Sequence, residues 1–218
     1  MENKTRFSTG FFPQLMIALF SGGWKRLLKN VYLDLRFGGR FLGGAVRSPG
    51  EERGFLHTMN TDYRVFEMLF DGVRLSPDDV LVDVGCGKGR LFNFMLSGGW
   101  RGRMVGVEVN PAIAAFTRNR LRRHENVEII EADVTMLRDV PGTVFYLFNP
   151  FTAPVMERFL QRLEEKWSRL PGGDRPLMIY NNAVELAAFE RFPRWKIVER
   201  FTPEESGSRS GCVKLVYR

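Results

Sequence analysis

Apolar positions in the part of the chain after residue 60 follow two alternating patterns. Short continuous apolar runs, such as Val80–Val84, are typical of strands buried on both faces. Between these runs, apolar residues recur three and four positions apart, which predicts amphipathic helices. The predicted strands cover residues 80–84, 104–109, 127–130, 144–148, 177–180, 195–201 and 213–217. The predicted helices cover residues 91–96, 111–123, 154–170 and 184–189, after a first helix that includes Tyr63, Phe66, Leu69 and Phe70.

This alternation of strands and helices predicts an α/β fold with a doubly wound, mostly parallel sheet and helices on both faces. The last two strands differ from the rest, because only the eleven residues 202–212, rich in Ser, Gly and Glu, separate them. Such a connection is too short for a crossover helix with two turns. We therefore expect these two strands to pair antiparallel.

The region before residue 61 has a different pattern, with helical periodicity over residues 13–36 in two pieces separated by Ser21-Gly22-Gly23. The second piece repeats apolar residues at helical spacing: Trp24, Leu27, Leu28, Val31, Tyr32 and Leu35. We expect this apolar side to pack over the core, with Lys25, Arg26 and Lys29 facing water. Residues 37–54 hold six glycines and Pro49, which indicates a loop or lid. Residues 1–60 are thus predicted to form a basic, helical and glycine-rich extension or lid, and residues 61–218 the main domain.

The composition is that of a globular protein, with 44% hydrophobic and 26% charged residues and a net charge of +7. Most of that charge lies in residues 1–60, which hold nine Lys and Arg residues against four acids. A basic chain of this kind suits an anionic partner such as nucleic acid or an acidic membrane surface. Nucleic acid is not favoured on charge alone, peripheral membrane contact stays open, and the oligomeric state is not determined.

The two cysteines have neither metal-site nor disulfide spacing, which predicts no metal and a reducing, cytoplasmic location. No apolar stretch is long enough to span a bilayer, and Pro13 and Gln14 interrupt the apolar run that would resemble a signal peptide.

The strongest chemical signal follows the first predicted strand, in the segment Asp83-Val84-Gly85-Cys86-Gly87-Lys88-Gly89. Three alternating glycines let the backbone approach a ligand, and the N-terminus of the next helix suits an anionic group. A dinucleotide fingerprint needs glycine at the sixth position from Gly85, where this chain has Arg90. The carboxylate of Asp83, at the end of a buried strand, instead suits a cationic amino group.

Two further acids follow the next two strands at matching spacing. Glu108 ends the second strand, 25 residues after Asp83, and an acid there can accept hydrogen bonds from ribose hydroxyls. Asp133 follows the third strand by another 25 residues and can accept from an adenine amino group or, alternatively, cap a helix.

Asp83 to Gly89, Glu108 and Asp133 together resemble the first three motifs of the class I methyltransferases that use S-adenosylmethionine (SAM). The resemblance covers about residues 60–218. It implies a seven-stranded sheet with an antiparallel last strand, SAM as the cofactor, and methyl transfer to an acceptor that the resemblance does not identify. The cofactor-binding residues that it implies are Asp83, Val84, Gly85, Cys86, Gly87, Gly89, Glu108, Val109, Asp133, Val134 and Asn149.

The fourth strand ends in Asn149-Pro150-Phe151, which resembles the Asn-Pro-Pro-Tyr/Phe motif of N-methyltransferases acting on planar amines and amides. The chain has one proline fewer, so its ring lies one residue closer to the asparagine. The resemblance implies a catalytic Asn149 that faces the transferable methyl group and a nitrogen as acceptor atom. It also implies substrate contacts for Pro150 and Phe151. Asn181 is a further candidate substrate residue because it follows the fifth strand, as are Thr61 and Tyr63, which precede the domain where related enzymes cover the methionine end of SAM.

Two alternatives from other functional classes stay open. An NAD-dependent oxidoreductase would use the same glycine loop but conflicts with Arg90 and Asp83. A non-catalytic module of the same fold would bind an anionic membrane or nucleic acid through the basic N-terminal helices.

Overall fold

The computed structural model describes residues 24–44, 59–137, 139–140, 142–169 and 176–218. The helices are α1 (Trp24–Gly38), α2 (Tyr63–Phe70), α3 (Arg90–Ser97), α4 (Pro111–Leu121), α5 (Ala153–Trp167) and α6 (Pro203–Ser206). The strands are β1 (Val80–Val84), β2 (Arg103–Glu108), β3 (Val127–Glu131), β4 (Val144–Phe148), β5 (Leu177–Asn181), β6 (Trp195–Phe201) and β7 (Cys212–Tyr217). Two 3₁₀ helices cover Val134–Met136 and Leu186–Arg191.

The seven strands form one sheet in the order β3-β2-β1-β4-β5-β7-β6. Strands β1 to β5 pair parallel, whereas β7 lies between β5 and β6 and is antiparallel to both. The predicted α/β class, the seven strands and the antiparallel last strand are therefore confirmed. The order of strands places the carboxyl ends of β1, β2 and β4 side by side, which is where ligands bind in open α/β sheets.

The core has two parts because successive side chains of a strand point to opposite faces of the sheet. Val82 faces the side that contains Phe159 of α5, and Leu81 faces the side that contains Phe66 of α2. Asp83 is two residues from Leu81 and so belongs to the face covered by α2 and α3. This placement buries Asp83 at the end of β1.

Two details of the predicted elements were wrong. The segment predicted as a helix at 184–189 is a 3₁₀ helix, Leu186–Arg191. A short helix, Pro203–Ser206, lies between the last two strands, where none was expected. It forms because Thr202 and Glu205 make a capping box around its first turn.

The orientation of α1 was also predicted incorrectly. Of the six apolar residues expected to pack over the core, only Leu27 is buried. The buried positions of this helix are Leu27, Asp34 and Gly38, so the buried face is rotated away from Trp24, Leu28, Tyr32 and Leu35. Its partners are α2 and α3, because Arg26 pairs with Asp62 and Asp34 pairs with Arg90. The other predicted N-terminal piece, residues 13–23, lies outside the described residues.

Among the described helices, none has the combination of length and apolar character that crossing a bilayer requires.

Candidate functional site

The glycine loop after β1 turns sharply against the neighbouring strand. Gly85, Gly87 and Gly89 have φ values of 73°, 51° and 74°, a region that favours glycine. The N–H groups of Gly85 and Cys86 both donate to the carbonyl of Val107, at 2.9 and 3.1 Å. Helix α3 then begins at Arg90, and its N-cap residue Gly89 makes no side-chain capping bond, so the first-turn N–H groups are available for an anionic group.

The two other predicted residues of this segment contribute differently from the glycines. Val84 is 1% exposed and packs in the core, so only its backbone can meet a ligand. The Cys86 thiol is buried, and a Cβ at Gly106 would lie 2.7 Å from its sulfur. Burial and the nearby Asp83 raise the pKa of this thiol, which keeps it protonated and unsuited to act as a nucleophile.

Asp83 is 5% exposed, and within the described part of the chain its carboxylate has no hydrogen-bond partner. Burial raises its pKa well above the ordinary carboxyl range, and the nearby Glu108 adds to the effect. A buried carboxylate without a partner is costly, and a cationic amino group would compensate it. The SAM molecule carries such a group on its methionine end, so the site fits the predicted cofactor.

Glu108 fixes the shape of the loop. One carboxylate oxygen accepts the Gly87 N–H at 2.9 Å, and the other accepts the Asn110 N–H at 2.8 Å. Burial raises the pKa of Glu108, while these hydrogen bonds act in the opposite direction. Each oxygen retains a second acceptor site, which is the one that a ribose hydroxyl would use. Glu108 thus has a structural role beside the cofactor role that the sequence predicts.

Asp133 caps the 3₁₀ helix Val134–Met136. Its Oδ1 accepts the Thr135 N–H at 2.9 Å and the Thr135 hydroxyl at 2.7 Å. The capping alternative is therefore confirmed, and within the described residues Oδ2 has no partner. Val134 is buried beside it and Val109 is partly buried at the end of β2. A contact of this end of the site with adenine stays a prediction.

Asn149 lies directly after β4 in an unusual backbone conformation, with φ at 40°. The Tyr180 hydroxyl oxygen accepts the Glu185 N–H at 3.1 Å and is 3.2 Å from Asn149 Oδ1. Burial raises the pKa of Tyr180, so its hydroxyl is protonated and donates to the asparagine. This arrangement identifies the amide oxygen as the atom that faces Tyr180.

The next two residues of this segment lie in contrasting places. Pro150 contacts the glycine loop, because a Cβ at Gly85 would be 3.0 Å from the Pro150 Cβ. Phe151 is 2% exposed and its ring centroid lies 5.8 Å from that of Phe159 in the core. A contact between the Phe151 ring and an acceptor stays a prediction, and it would require the ring to leave this packing.

Three residues predicted to contact substrate are buried. The Thr61 hydroxyl is 2.6 Å from that of Tyr146, to which the Asn181 amide donates at 3.0 Å. The Cys212 thiol donates to Asn181 Oδ1 at 3.1 Å. Tyr63 is fully buried and donates to Asp34. The structure thus brings Thr61 and Asn181 together in one buried hydrogen-bond network. Contacts of Thr61, Asn181 and Tyr63 with a substrate stay predictions.

Two residues that the sequence did not single out hold the loop in place. The Lys88 ammonium donates to the carbonyls of Gly43 and Gly44 at 3.1 and 2.7 Å, and burial lowers its pKa to about 8. The Arg120 guanidinium donates to the carbonyls of Lys88 and Gly89 at 2.7 and 3.1 Å. Lys88 is visible within the glycine motif, but backbone carbonyl partners leave no signal in a sequence.

The structure offers no metal site within the described residues, since no cluster of His, Cys, Asp and Glu there could hold an ion.

Comparison with known proteins agrees with this geometry. Residues 81–166 match a methyltransferase domain family. A curated relative, ribosomal RNA small subunit methyltransferase A of Thermotoga petrophila, is 30% identical over 104 residues, which cover 46% of this chain and 39% of the relative. A probable cobalt-precorrin-6B C(15)-methyltransferase of Archaeoglobus fulgidus is 32% identical over 73 residues, covering 34% and 42%. This chain therefore matches less than half the length of either relative.

A solved structure shares the fold. The RNA methyltransferase of Salinibacter ruber, in complex with S-adenosyl-L-homocysteine, superposes with a TM-score of 0.51 at 18% identity. The superposition covers 73% of this chain and 94% of that protein. At 18% identity this similarity shows a shared class I methyltransferase fold and nothing more specific.

Proposed function

We propose that this chain, which carries a class I SAM-dependent methyltransferase domain, transfers a methyl group to a nitrogen atom of an acceptor held beside Asn149. The observation that carries the proposal is the buried, unpartnered carboxylate of Asp83 next to the uncapped start of α3. Together they present a negative and a positive pole at the end of one strand. An amino acid moiety, with its ammonium and carboxylate groups, complements both.

The chain's own residues bind and orient the two reactants. Asp83 would hold the amino group of the cofactor, and Glu108 would accept hydrogen bonds from the ribose. Asp133 Oδ2 would accept from the adenine amino group, with Val109 and Val134 as apolar neighbours. When bound, SAM supplies a methyl group that its sulfonium already activates, so positioning is the main task left to the protein.

Asn149 is the residue that we assign to the acceptor. Tyr180 uses only one of the two lone pairs of Asn149 Oδ1, which leaves the other for an N–H group of the acceptor. The left-handed backbone at Asn149 supports this assignment, because such strained conformations concentrate at functional sites. Pro150 would keep this group close to the glycine loop.

The acceptors named for the relatives differ in kind, since one relative is named for ribosomal RNA and another for a carbon atom of a cobalt-precorrin. The test must therefore include nitrogen acceptors in RNA as well as small planar amines. Cys86 and Cys212 are both free thiols, which supports a reducing, cytoplasmic location as part of the proposal.

The first test is calorimetric titration of the purified protein with SAM, its demethylated product and NAD. We expect the first two ligands to bind and NAD not to bind. Binding of NAD alone would contradict the assignment of the glycine loop.

The second test is transfer of labelled methyl groups from SAM to RNA and to amines. We expect Asn149→Ala to lower turnover far more than SAM affinity. Asn182→Ala is the matched control, because Asn182 also has positive φ but its side chain accepts a hydrogen bond only from the Ser210 N–H in the described structure. Equal turnover by the Asn149 variant and the wild type would exclude the acceptor role.

A further inference from the structure

Helix α1 carries a stripe of apolar side chains that face away from the domain. Trp24, Leu28, Tyr32 and Leu35 are 46%, 57%, 63% and 50% exposed. Their spacing of four, four and three residues places them on one side of the helix. Within the described residues nothing covers this exposed stripe.

The opposite side of α1 is fixed to the domain, so the helix cannot roll to bury the stripe. Asp34 is fully buried and makes two hydrogen bonds to Arg90, at 3.0 and 2.6 Å. Arg26 and Asn30 both bind the carboxylate of Asp62, which caps α2. The exposure of the stripe is therefore a consequence of polar contacts on the other face.

The charged side chains that α1 exposes are all positive. Its basic residues, Lys25, Arg26, Lys29 and Arg36, are all exposed, and its one acid, Asp34, is buried against Arg90. Lys29 also reaches Glu67, but both side chains of that pair are about half exposed. The surface that α1 presents to its surroundings is thus made of apolar and cationic groups, with Lys25, Lys29 and Arg36 beside the stripe and Arg26 turned toward Asp62.

Exposed apolar residues elsewhere are not arranged in this way. The other large ones are Met59, Met136, Val184 and Val198, and they lie in separate segments of the chain. Single exposed apolar residues are normal on protein surfaces, whereas a contiguous patch marks an interaction site.

We propose that α1 docks onto an anionic membrane surface, with the exposed stripe in the boundary between headgroups and acyl chains. A helix with an apolar side, flanking cations and no exposed acid has the features of an interfacial helix. Trp and Tyr suit this boundary because each ring has an apolar body and a polar tip. Leu28 and Leu35 favour lipid over RNA, since aliphatic side chains do not stack on bases. This inference goes beyond the methyl transfer proposed above.

Docking through α1 would bring the candidate site close to the membrane. Arg90, the partner of Asp34, is the first residue of α3, directly after the glycine loop. Lys88 in the loop also binds the carbonyls of Gly43 and Gly44, shortly after α1 ends. The contacts that fix α1 therefore end at the proposed cofactor loop.

The test is vesicle flotation with the full chain. Vesicles of phosphatidylcholine mixed with phosphatidylglycerol are compared with vesicles of phosphatidylcholine alone, at low and at raised salt. We expect binding to the anionic vesicles, weaker binding when salt is raised, and a partition coefficient about tenfold or more lower for Leu28→Glu. Lys25→Glu with Arg36→Glu should reduce binding to anionic vesicles without affecting the neutral ones.

The matched controls lie on β6. Val198 is 50% exposed and Lys196 is exposed beside it, so Val198→Glu and Lys196→Glu make the same chemical changes at another surface. These controls should bind vesicles as the wild type does. Thermal melting of each variant checks that it is folded.

Three outcomes would overturn the proposal. One is equal vesicle binding by the wild type and the folded Leu28→Glu variant. Another is a wild type that binds no vesicle but forms a dimer that Leu28→Glu dissociates, which would make the stripe a contact between copies. The third is no vesicle binding together with a lower melting temperature for Leu28→Glu, which would show that another part of the same chain covers the stripe.

Discussion

At the scale of single residues, the candidate site depends on a carboxylate that the fold buries without compensating it. Asp83 has no hydrogen-bond partner within the described residues, and Glu108 lies near enough to raise its pKa further. A group of this kind weakens the ligand-free protein and strengthens the binding of a cation. Replacing the Asp83 carboxylate with a neutral group should therefore stabilise the ligand-free protein and weaken ligand binding.

Replacing Asp83 with Asn tests this opposition. We expect SAM affinity to fall by roughly 100-fold, since hydrogen bonds to charged groups contribute about 1.5–3 kcal/mol. The ligand-free variant should melt at the same temperature as the wild type or higher, because no buried charge is left to compensate. Calorimetry and thermal melting measure the two effects.

Asp79→Asn is the control at the other end of the same strand. The carboxylate of Asp79 accepts hydrogen bonds from Thr143 and from the Ser76 N–H, so its loss should lower stability and spare SAM affinity. A normal SAM affinity in Asp83→Asn would show that the amino group is bound elsewhere.

The raised pKa of Asp83 also predicts a pH dependence. An ammonium group binds the ionised carboxylate, so SAM affinity should rise as pH increases through the raised pKa of Asp83 and then level off. For stability the sign is opposite: the folded state holds the proton more tightly than the unfolded state, so the contribution of Asp83 declines as pH rises from 3.8 through the raised value.

Titrations of SAM into the wild type and Asp83→Asn over a pH series measure this dependence. The difference between the two profiles isolates Asp83 from Glu108, whose pKa burial also raises. Parallel profiles for the two proteins would contradict the prediction.

At the scale of secondary-structure elements, a buried ion pair joins α1 to α3. Asp34 is 0% and Arg90 7% exposed at the side-chain level, and their charged atoms are 2.6 Å apart. Tyr63 of α2 and the Leu42 N–H bind the same carboxylate. The Asp34 carboxylate thus connects both α2 and the segment at Leu42 to α1. Removal of the charge on Asp34 or on Arg90 would leave the other charge buried and unpaired.

Asp34→Asn is expected to lower the free energy of unfolding by about 3 kcal/mol or more, because Arg90 would lose its counter-charge in the interior. Denaturant unfolding provides the measurement. Arg103→Gln is the control, since the Arg103–Glu128 pair is about half exposed and such pairs contribute about 0–1 kcal/mol. If both variants lowered the free energy of unfolding by similar amounts, the Asp34–Arg90 pair would have to be accessible to water in solution.

At the scale of the whole molecule, polar contacts connect α1 to the rest of the domain. The division into residues 1–60 and 61–218 stays a prediction, but polar contacts cross this boundary at Asp34, at Asp62 and at Lys88. Those contacts join the basic N-terminal region to the glycine loop. Motions of the N-terminal region would therefore be coupled to the shape of the cofactor site.

A truncated chain that begins at residue 39 should melt at a lower temperature than the Asp34→Asn variant. It would lose the same carboxylate together with the burial of Leu27 and the bonds to Asp62. Calorimetric melting of both proteins compares them directly. A truncated chain as stable as the wild type would support the predicted division into an N-terminal extension or lid and a main domain.

The sequence by itself determined most of the strands and helices and the position of the glycine loop at the end of β1. Strands such as β1 and β4 are predictable because burial on both faces requires a continuous apolar run, which is a local property. The positions of Asp83, Glu108 and Asp133 are likewise predictable, since each follows a strand and the parallel strands end at one edge of the sheet. The hydrogen bonds that the carboxylates of Glu108 and Asp133 make within the protein could not be predicted from the sequence.

The tertiary structure decided what depends on residues far apart in the chain. From local apolar spacing, α1 would bury Trp24 and Leu28, but the pairing of Asp34 with Arg90, 56 residues away, turns that face outward. The buried network of Thr61, Tyr146 and Asn181 likewise joins residues up to 120 positions apart. Charge pairing and buried hydrogen bonds need a specific partner in space, and a one-dimensional pattern records the residue but not that partner.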